Sequence, residues 1–412
     1  MTPRAPLIPL DDALATLLAY AVPLTTFESV NTFDADGRVL AQDAVSPLQV
    51  PSFDNSAMDG YAMRCADVAN LALPVSQRIA AGAAPEPLQP STVARIFTGA
   101  PMPVGADAVV MQEECALQSD GTVRVLRPPQ PGQCIRRAGE DVAQNAVVLS
   151  KGERLTPAGI ALAASIGMDA VCVASRPRVA LFSTGDELVM PGDVAPQDMR
   201  PGAIYNSNRF FLRALLQRMG CVVTDLGIVP DQRDATVDAL RAASQKHDLI
   251  LTSGGVSVGE EDHVKAAVQA LGSLHLWQLA IKPGKPFAYG SLNSTGTAAG
   301  THFIGLPGNP VASFVTFLLL VRPFVLRLQG ATAVAPPAMQ LPAHFAWPRA
   351  DKRREFLRVR RNAAGGLDLF ANQSSGVLTS AAWADGLVDT QPGQTIAWGD
   401  TVRFIPLAEL QA

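Results

Sequence analysis

The chain has 412 residues, of which 48% are hydrophobic and 17% charged, with a formal net charge of −4. This length corresponds to roughly two to four domains, and the apolar fraction is sufficient for substantial cores, which argues against long-range disorder. The slightly acidic balance implies no basic face, so a nucleic-acid partner is not expected.

The cysteines and histidines indicate neither a disulfide framework nor a zinc site. The five cysteines include no CxxC pair, and the five histidines form no HExxH or other metal-ligand spacing. The N-terminal segment lacks a long apolar region and does not resemble a signal peptide. The longest apolar run begins at Val311 and is stopped by Arg322-Pro323, so it predicts a buried helix rather than a membrane span. We therefore expect a cytoplasmic protein without a membrane partner.

Residues 1–175 contain short strand-like runs, such as 93–97 and 107–112, separated by Gly and Pro. This pattern predicts a mostly β region of elongated or discontinuous shape. Residues 155–167 predict a helix that Thr156 caps and Gly167 ends, with Pro157 in its first turn.

From 176 to 328 the pattern changes to alternating strands and helices. Strands are predicted at 178–183, 222–229, 248–253, 274–281 and 302–306. Helices are predicted at 206–220, 231–247, 263–272 and from about Pro310. The alternation predicts an α/β domain with a doubly wound, mostly parallel sheet. From 329 to 412 the pattern is β again, with runs at 354–361, 366–372 and 394–407 that suggest a small barrel.

Polar loops follow each predicted strand of the central region, and in a parallel sheet they would meet at one edge. Their glycines let backbone N–H groups approach an anion closely. Lys282 and Lys285 are suited to neutralise a phosphate or an oxyanion. The carboxylates of Glu187, Asp231 and Asp262 are suited to Mg²⁺ that also holds substrate phosphates. The set indicates a metal-bound phosphoester or anhydride substrate.

Each of these features also has a structural interpretation when it is taken alone. Asp231 suits a helix N-cap, Lys285 a solvated surface charge and Gly254-Gly255 a simple turn. Their joint occurrence after successive strands favours a ligand site. The absence of a GxxxxGK[ST] motif, of GxGxxG after the first strand and of GxSxG argues against a P-loop nucleotidase, a Rossmann dinucleotide site and a serine hydrolase.

Ten ordered motifs resemble the MoeA family of molybdopterin molybdenumtransferases and the related gephyrin E domain. They are SFDNSAMDGYA, FTGAPMPVGADAVVMQE, RRAGEDV, LTPAGIALAASIG, STGDEL, NSN, GIVPD, TSGGVSVGEEDHVK, IKPGKPFAYG and GLPGNPVAS. The resemblance is strong from about residue 25 to 330 and continues more weakly through RREFLRVRR and NQSSGVLTS. It implies a Mg²⁺-assisted transferase that takes adenylylated molybdopterin and molybdate, releases AMP and places molybdenum on the dithiolene sulfurs.

The resemblance also implies an architecture. An N-terminal part over 1–175 would carry an inserted β-rich subdomain at about 46–145, followed by a MogA-like α/β domain over 176–328 and a C-terminal β-barrel over 329–412. The protein would be an elongated homodimer with its active site between the central domain of one subunit and N-terminal elements of the other. Transient contacts with the adenylyltransferase and with molybdoenzyme chaperones are implied as partners.

Site residues carried over by motif fall into three groups. The catalytic residues are Asp59, Thr98, Asp141 and Glu187, of which the first three would come from the partner subunit. Glu187, Asp231 and Asp262 would bind Mg²⁺ beside the AMP phosphate. The substrate-binding residues are Ser257, Lys282, Lys285, Pro307, Pro310, Ser313, Arg354 and Ser375. Among them, Lys282, Lys285, Ser313, Arg354 and Ser375 would form an oxyanion pocket for molybdate.

Two alternative functions and one departure accompany this assignment. The chain could catalyse the preceding adenylyltransferase step, although the extra N- and C-terminal regions argue against it. It could also be a gephyrin-like scaffold, although the retained acidic and lysine side chains disfavour that reading. The family often has a lysine where Gln278 follows Trp277, so a cationic contact with the anionic substrate is expected to be missing.

Overall fold

The computed structural model describes residues 6–68, 72–256, 263–293 and 300–411. Its N-terminal region consists mainly of short strands in five small sheets. The elements are α1 Leu10–Tyr20, β1 Phe27–Asn31, β2 Ala44–Val45, β3 Asn55–Ser56, β4 Gly60–Met63, β5 Ala72–Leu73, β6 Val75–Ile79, β7 Val93–Ile96, β8 Ala108–Met111, β9 Cys115–Leu117, β10 Val123–Val125, β11 Ile135–Arg136, β12 Val147–Leu149, α2 Pro157–Ser165 and β13 Ala170–Ala174.

The pairing of these strands is nested. β1 pairs with β13, β2 pairs with β12 and β3 pairs with β11, all antiparallel. The innermost segment folds into a four-stranded sheet in the order β6-β7-β4-β8 and a three-stranded sheet in the order β5-β10-β9. Strands that are distant in sequence therefore bracket this segment, which gives the region the discontinuous organisation that its Gly- and Pro-rich pattern predicted.

Helix α2 begins and ends close to the predicted positions. The Thr156 hydroxyl accepts a hydrogen bond from the Gly159 N–H at 3.2 Å, and Pro157 occupies the first turn. Gly167 has a φ of +83° just beyond the helix. This helix was predictable because its signals are local: a capping hydroxyl, a proline without an N–H and a glycine that tolerates positive φ.

Helix α1 was not predicted, and it packs against the central region rather than against its sequence neighbours. Leu10, Ala13 and Leu17 are buried in the same cluster as Leu279 and Phe324. Their spacing places the three side chains on one helical face. The N-terminal helix thus contributes to the core beneath the central sheet.

The central region contains nine β-strands and five α-helices among the described residues. They are β14 Arg178–Thr184, β15 Leu188–Val189, β16 Ile204–Tyr205, α3 Asn208–Arg218, β17 Val222–Val229, α4 Arg233–Ser244, β18 Leu249–Ser253, α5 His263–Leu271, β19 Gly272–Gln278, β20 Ile281–Lys282, β21 Pro286–Leu292, β22 Thr301–Leu306, α6 Pro310–Thr316 and α7 Arg322–Leu328. The main sheet has the order β17-β14-β18-β22-β21-β19, and helices separate most of its strands along the chain.

The predicted mostly parallel sheet is confirmed, and it differs from a fully parallel sheet at one strand. β17, β14, β18 and β22 are parallel, but β21 is antiparallel to both β22 and β19. The unpredicted strand β21 causes the difference, because it returns directly from the Lys-Pro-Gly-Lys turn and needs no helical crossover. After two reversals β19 runs in the same direction as the parallel strands. The loop that follows it therefore still reaches their carboxyl edge.

The last apolar segment of the central region forms one buried helical stretch over Pro310–Leu328, in which a π turn at Phe317–Val321 joins α6 to α7. This 19-residue stretch is long and apolar enough to cross a membrane, but 94% of it is buried inside the protein. The apolar run ends at Arg322-Pro323, but the helix continues through both residues. The preceding π turn changes the backbone hydrogen bonding just before the proline, which has no N–H to donate. The prediction of a buried helix is confirmed.

The C-terminal region is a small curved sheet. Its elements are β23 Met339–Pro342, β24 Arg354–Arg361, β25 Leu367–Leu369, α8 Leu378–Trp383, β26 Gly386–Thr390, β27 Thr401–Pro406 and α9 Leu407–Leu410. The order is β20-β24-β26-β27-β23, with β25 added to β24. The His344 N–H donates to the Leu367 carbonyl at 2.9 Å and closes the ring from β23 to β25, as expected of a barrel. β20 links this sheet to the central region.

Candidate active site

Loops at the carboxyl edge of the central sheet and a segment of the C-terminal region surround a cleft of about 1000 Å³. The central sheet supplies the ends of β14 and β18, the turn after β19 and the loop after β22. The C-terminal region supplies Arg353 and the segment 373–376. The predicted convergence of the polar loops is therefore observed.

A tight glycine turn brings the end of β18 against the end of β14. Gly254 and Gly255 have φ values of +94° and +65°. A Cβ on Gly254 would lie 2.4 Å from the Thr184 carbonyl oxygen, and one on Gly255 would lie 2.5 Å from a methyl carbon of Val264. Only glycine satisfies both the positive φ and the close approach. The turn consequently forms a narrow wall of the cleft with its backbone exposed to a ligand.

Asn208 fixes two of the cleft loops to each other. Its side-chain amide donates to the Ser253 hydroxyl at 2.8 Å and to the Gly308 carbonyl at 2.7 Å. These acceptors lie at the last residue of β18 and in the loop after β22, so one buried amide sets the spacing of the two segments. Asn208 was not predicted as a site residue, although the NSN motif that contains it was part of the family resemblance.

Two buried polar groups in the cleft wall have no hydrogen-bond partner among the described residues. They are the Thr184 hydroxyl and the Asn206 side-chain amide nitrogen, in residues that are 4% and 2% exposed. An unpaired buried donor costs about 1–3 kcal/mol, so such groups are usually satisfied by water or a ligand. Both groups line the cleft and are suited to hydrogen-bond a polar substrate.

Two of the three predicted metal carboxylates line the cleft, those of Glu187 and Asp231. The third, Asp262, and the predicted substrate contact Ser257 lie outside the described residues. Asp231 is not the N-cap of α4, because that helix begins at Arg233 with Gln232 as its N-cap. Within the described residues no group of three His, Cys, Asp or Glu side chains is preassembled for a metal. Two carboxylates suffice for Mg²⁺, which usually keeps several waters and binds substrate phosphates.

Three cationic side chains line the same cleft, Lys282, Lys285 and Arg353. The Lys282 ammonium lies 2.8 Å from the Glu355 carboxylate and 3.4 Å from that of Asp351. Arg353 donates to both oxygens of Asp351, at 3.1 and 3.0 Å, which lowers the pKa of that carboxyl well below its usual range. Cations and carboxylates therefore alternate along this wall.

Arg354, which was predicted to bind molybdate, does not line the cleft. Its guanidinium forms a two-point ion pair with Asp389, at 2.7 Å for each contact, and a further contact with Asp11 at 2.8 Å. Arg353 lies in the bend just before β24, whereas Arg354 is the first residue of that strand and is held by its ion pairs, so the two adjacent side chains take different directions. Arg353 is the one that lines the cleft.

Of the other predicted substrate residues that the structure describes, some line the cleft and one is buried in a helix. Pro307, Pro310 and Ser375 line the cleft. Ser313 is fully buried in α6, and its hydroxyl has no partner among the described residues. The Ser375 carbonyl accepts a hydrogen bond from the Val311 N–H at 3.0 Å, which joins the C-terminal segment to the start of α6.

The predicted catalytic residues of the N-terminal region lie elsewhere in the chain, on exposed loops. The Asp59 carboxylate accepts hydrogen bonds from the Thr98 N–H and hydroxyl, both at 2.8 Å, and these bonds lower its pKa. Asp141 is also exposed, and its N–H donates to the Val50 carbonyl at 3.0 Å. None of the three lines the cleft of the same chain.

Comparisons with known proteins cover nearly all of this architecture. Residues 8–167 match the MoeA N-terminal region (domain I and II), residues 180–327 a probable molybdopterin binding domain and residues 340–407 the MoeA C-terminal region (domain IV). A molybdopterin molybdenumtransferase of Haemophilus influenzae is 43% identical over 85% of this chain and 85% of its own length. The chain belongs to the MoeA family.

Other MoeA relatives extend the likeness to structure and to eukaryotes. A crystal structure of the molybdopterin biosynthesis MoeA protein from Pyrococcus horikoshii superposes with a TM-score of 0.85 at 28% identity, covering 97% of this chain and all of that one. Gephyrin of Dictyostelium discoideum is 33% identical over 78% of this chain and 50% of its own length. The MoeA fold therefore accounts for the N-terminal, central and C-terminal regions together.

Proposed function

We propose that this protein is a molybdopterin molybdenumtransferase and that the cleft at the edge of the central sheet is its active site. The substrates are adenylylated molybdopterin and molybdate, and the products are AMP and molybdopterin that carries molybdenum on its dithiolene sulfurs. The observation that carries the proposal is that one cleft is lined by two carboxylates and three cations, namely Glu187, Asp231, Lys282, Lys285 and Arg353. A metal-bound phosphoanhydride and an oxyanion need both kinds of charge close together.

The cationic side chains would hold the tetrahedral dianion of molybdate. Lys285 and Arg353 offer positive charge from two separate loops, and Arg353 keeps further N–H donors beside the two that it directs at Asp351. The Thr184 hydroxyl and the Asn206 amide nitrogen, which have no partner in the described part of the chain, would hydrogen-bond the polar substrate. Because these donors are fixed by buried structure, little reorganisation is needed as charge develops on the leaving phosphate.

Glu187 and Asp231, together with Asp262, would hold Mg²⁺ beside the phosphate of the AMP group. The metal would supply charge neutralisation at the phosphoanhydride. The fit rests on two carboxylates with oxygen ligands of the right kind in the cleft that the cations also line. No protein nucleophile is required, because the side chains bind and orient two substrates that react with each other.

The remaining catalytic residues would come from a second subunit. Asp59, Thr98 and Asp141 are exposed and lie outside the cleft of their own chain. A homodimer that sets this surface across the cleft of its partner would complete the site with further acidic and hydroxyl groups. A cytoplasmic location agrees with five cysteines that are all free thiols. Transient contacts with the adenylyltransferase and with molybdoenzyme chaperones would deliver the substrate and receive the product.

The decisive experiment is a titration of molybdate into the protein with adenylylated molybdopterin and Mg²⁺, with AMP release as the readout. We expect AMP release that saturates with molybdate. AMP release that does not depend on the molybdate concentration would contradict the proposal. ATP-dependent formation of adenylylated molybdopterin would assign the chain to the preceding adenylyltransferase step instead.

A further inference from the structure

Lys282 is tied to the C-terminal sheet by its backbone and by its side chain. β20 pairs in parallel with β24, and the register places Lys282 opposite Glu355. The Lys282 ammonium contacts the Glu355 carboxylate at 2.8 Å. A cleft lysine that follows a strand of the central region is thus held by a residue from a different region of the protein.

Glu355 is a rigid partner for this lysine. The residue is 3% exposed, and its other carboxylate oxygen accepts a hydrogen bond from the indole N–H of Trp347 at 3.0 Å. A buried carboxylate is costly unless it is paired and hydrogen-bonded. With one oxygen on the indole and the other on Lys282, Glu355 cannot turn away without leaving a polar group unsatisfied.

Asp351 connects the same lysine to the second cation of this wall. Its Oδ2 lies 3.4 Å from the Lys282 ammonium and 3.0 Å from the Arg353 guanidinium. An ammonium group has three protons to donate. The ion pairs with Glu355 and Asp351 restrict the position of the ammonium group and leave the third proton for a further partner. The Lys282 side chain is 38% exposed and lines the cleft, so that third proton is accessible to a ligand.

We propose that Glu355 is a positioning residue, which holds the Lys282 ammonium so that its remaining donor meets an oxyanion bound in the cleft. The inference rests on the proposed function, because molybdate is the oxyanion in question. Glu355 itself does not touch the substrate. It acts through Lys282, with Asp351 setting the second direction and orienting Arg353.

The direction in which the affinity for the anion changes distinguishes positioning by Glu355 from a simple charge effect. Removal of a negative charge beside a cationic site should strengthen anion binding by Coulomb's law. Loss of positioning should weaken it, because Lys282 regains the freedom of a long flexible side chain and must be ordered again on binding. Glu355→Gln keeps the size of the side chain while it removes the charge, so it tests the two effects directly.

The experiment measures the binding of molybdate alone to the full-length protein by calorimetry, and then the molybdate KM and kcat of AMP release. For Glu355→Gln we expect binding about tenfold weaker, corresponding to the loss of one charge-assisted hydrogen bond. The molybdate KM should rise in the same proportion, with kcat changed less. Glu355→Asp should recover part of the affinity. Unchanged or tighter binding in Glu355→Gln would overturn the proposal.

Asp248→Asn is the matched control for a general loss of stability. Asp248 is also buried and ion-paired, with Arg178, but at the start of β18 and away from the cleft. We expect it to lower the melting temperature without a change in molybdate affinity. If Glu355→Gln does not fold, Asp351→Asn tests the same positioning and should also weaken binding. Failure of the wild-type protein to bind or use molybdate would refute the proposed function, whereas wild-type-like binding by the variants would refute only this inference.

Discussion

The carboxylate of Asp59 is held by Thr98 through two hydrogen bonds, from the backbone N–H and from the hydroxyl, each 2.8 Å long. Both donors stabilise the ionised form, so they hold the pKa of Asp59 below its ordinary value. The two residues come from loops far apart in sequence that β4 and β7 bring together by pairing. The Asp59 carboxylate on this exposed loop is thereby favoured in its ionised form and fixed in direction.

Replacement of Thr98 by valine should move the acidic limb of the pH–rate profile to higher pH. The hydroxyl is lost while the backbone donor remains, so the pKa of Asp59 rises towards its ordinary value. If the ionised carboxylate is needed, activity is lost as the pH falls through this pKa, and in the variant that loss begins at a higher pH. Initial rates of AMP release across the acidic range measure the shift.

The control for this change is Thr122→Val. Thr122 holds Asp120 in the same way, with N–H and hydroxyl contacts of 2.9 and 2.7 Å, in an exposed turn away from the predicted site. It should leave the pH–rate profile unchanged. If the pH–rate profiles of Thr98→Val and the wild type coincide, the ionisation of Asp59 does not control activity.

Replacement of Asn208 by alanine should reduce activity more than its effect on stability would suggest. The variant loses both hydrogen bonds that join the end of β18 to the loop after β22. We expect the free energy of unfolding to fall by about 1–3 kcal/mol and the rate of AMP release by about tenfold or more. Urea unfolding and steady-state kinetics measure the two effects separately.

Gln329→Ala is the corresponding control. Gln329 is also buried, and its amide donates to the Met219 carbonyl at 2.7 Å, but it does not line the cleft. A similar loss of stability with normal kinetics is expected. Equal losses of activity in both variants would mean that Asn208 contributes only to folding.

Replacement of Glu187 by glutamine should impair the response to Mg²⁺ while the protein stays folded. The side chain lines the cleft and is exposed, so its loss leaves no cavity in the core. We expect turnover to fall by about a hundredfold or more at fixed Mg²⁺, with partial recovery at higher concentration. Asp186→Asn changes the neighbouring acid, which does not line the cleft, and should behave like the wild type. A normal Mg²⁺ titration of Glu187→Gln would assign the metal to other ligands.

Subunit complementation tests the shared active site. Asp59→Asn and Glu187→Gln should each be inactive, because one removes a group of the N-terminal surface and the other a group of the cleft. In a dimer with sites between subunits, a mixed dimer retains one intact site. Co-expression with random pairing should therefore restore about a quarter of the wild-type rate. Activity no higher than that of either variant alone would place both residues in the site of one chain.

Some features of this protein follow from local sequence. Helix α2 could be predicted because its cap, its proline and its terminal glycine act within a few residues of each other. The meeting of Glu187, Asp231, Lys282 and Lys285 in one cleft could be predicted as well. Strands that run in one direction place their carboxyl ends on one edge, whatever the exact order of the sheet.

Other features depended on contacts that the sequence does not reveal. β21 could not be distinguished from a loop, because its pairing with β22 and β19 decides its conformation. The choice of Arg353 over Arg354 depended on a buried partner, Asp389, that lies far along the chain. A helix cap is set by neighbouring residues, whereas the direction of a charged side chain is set by the partner that satisfies it. For Lys282 that partner is Glu355, and only the tertiary structure brings the two together.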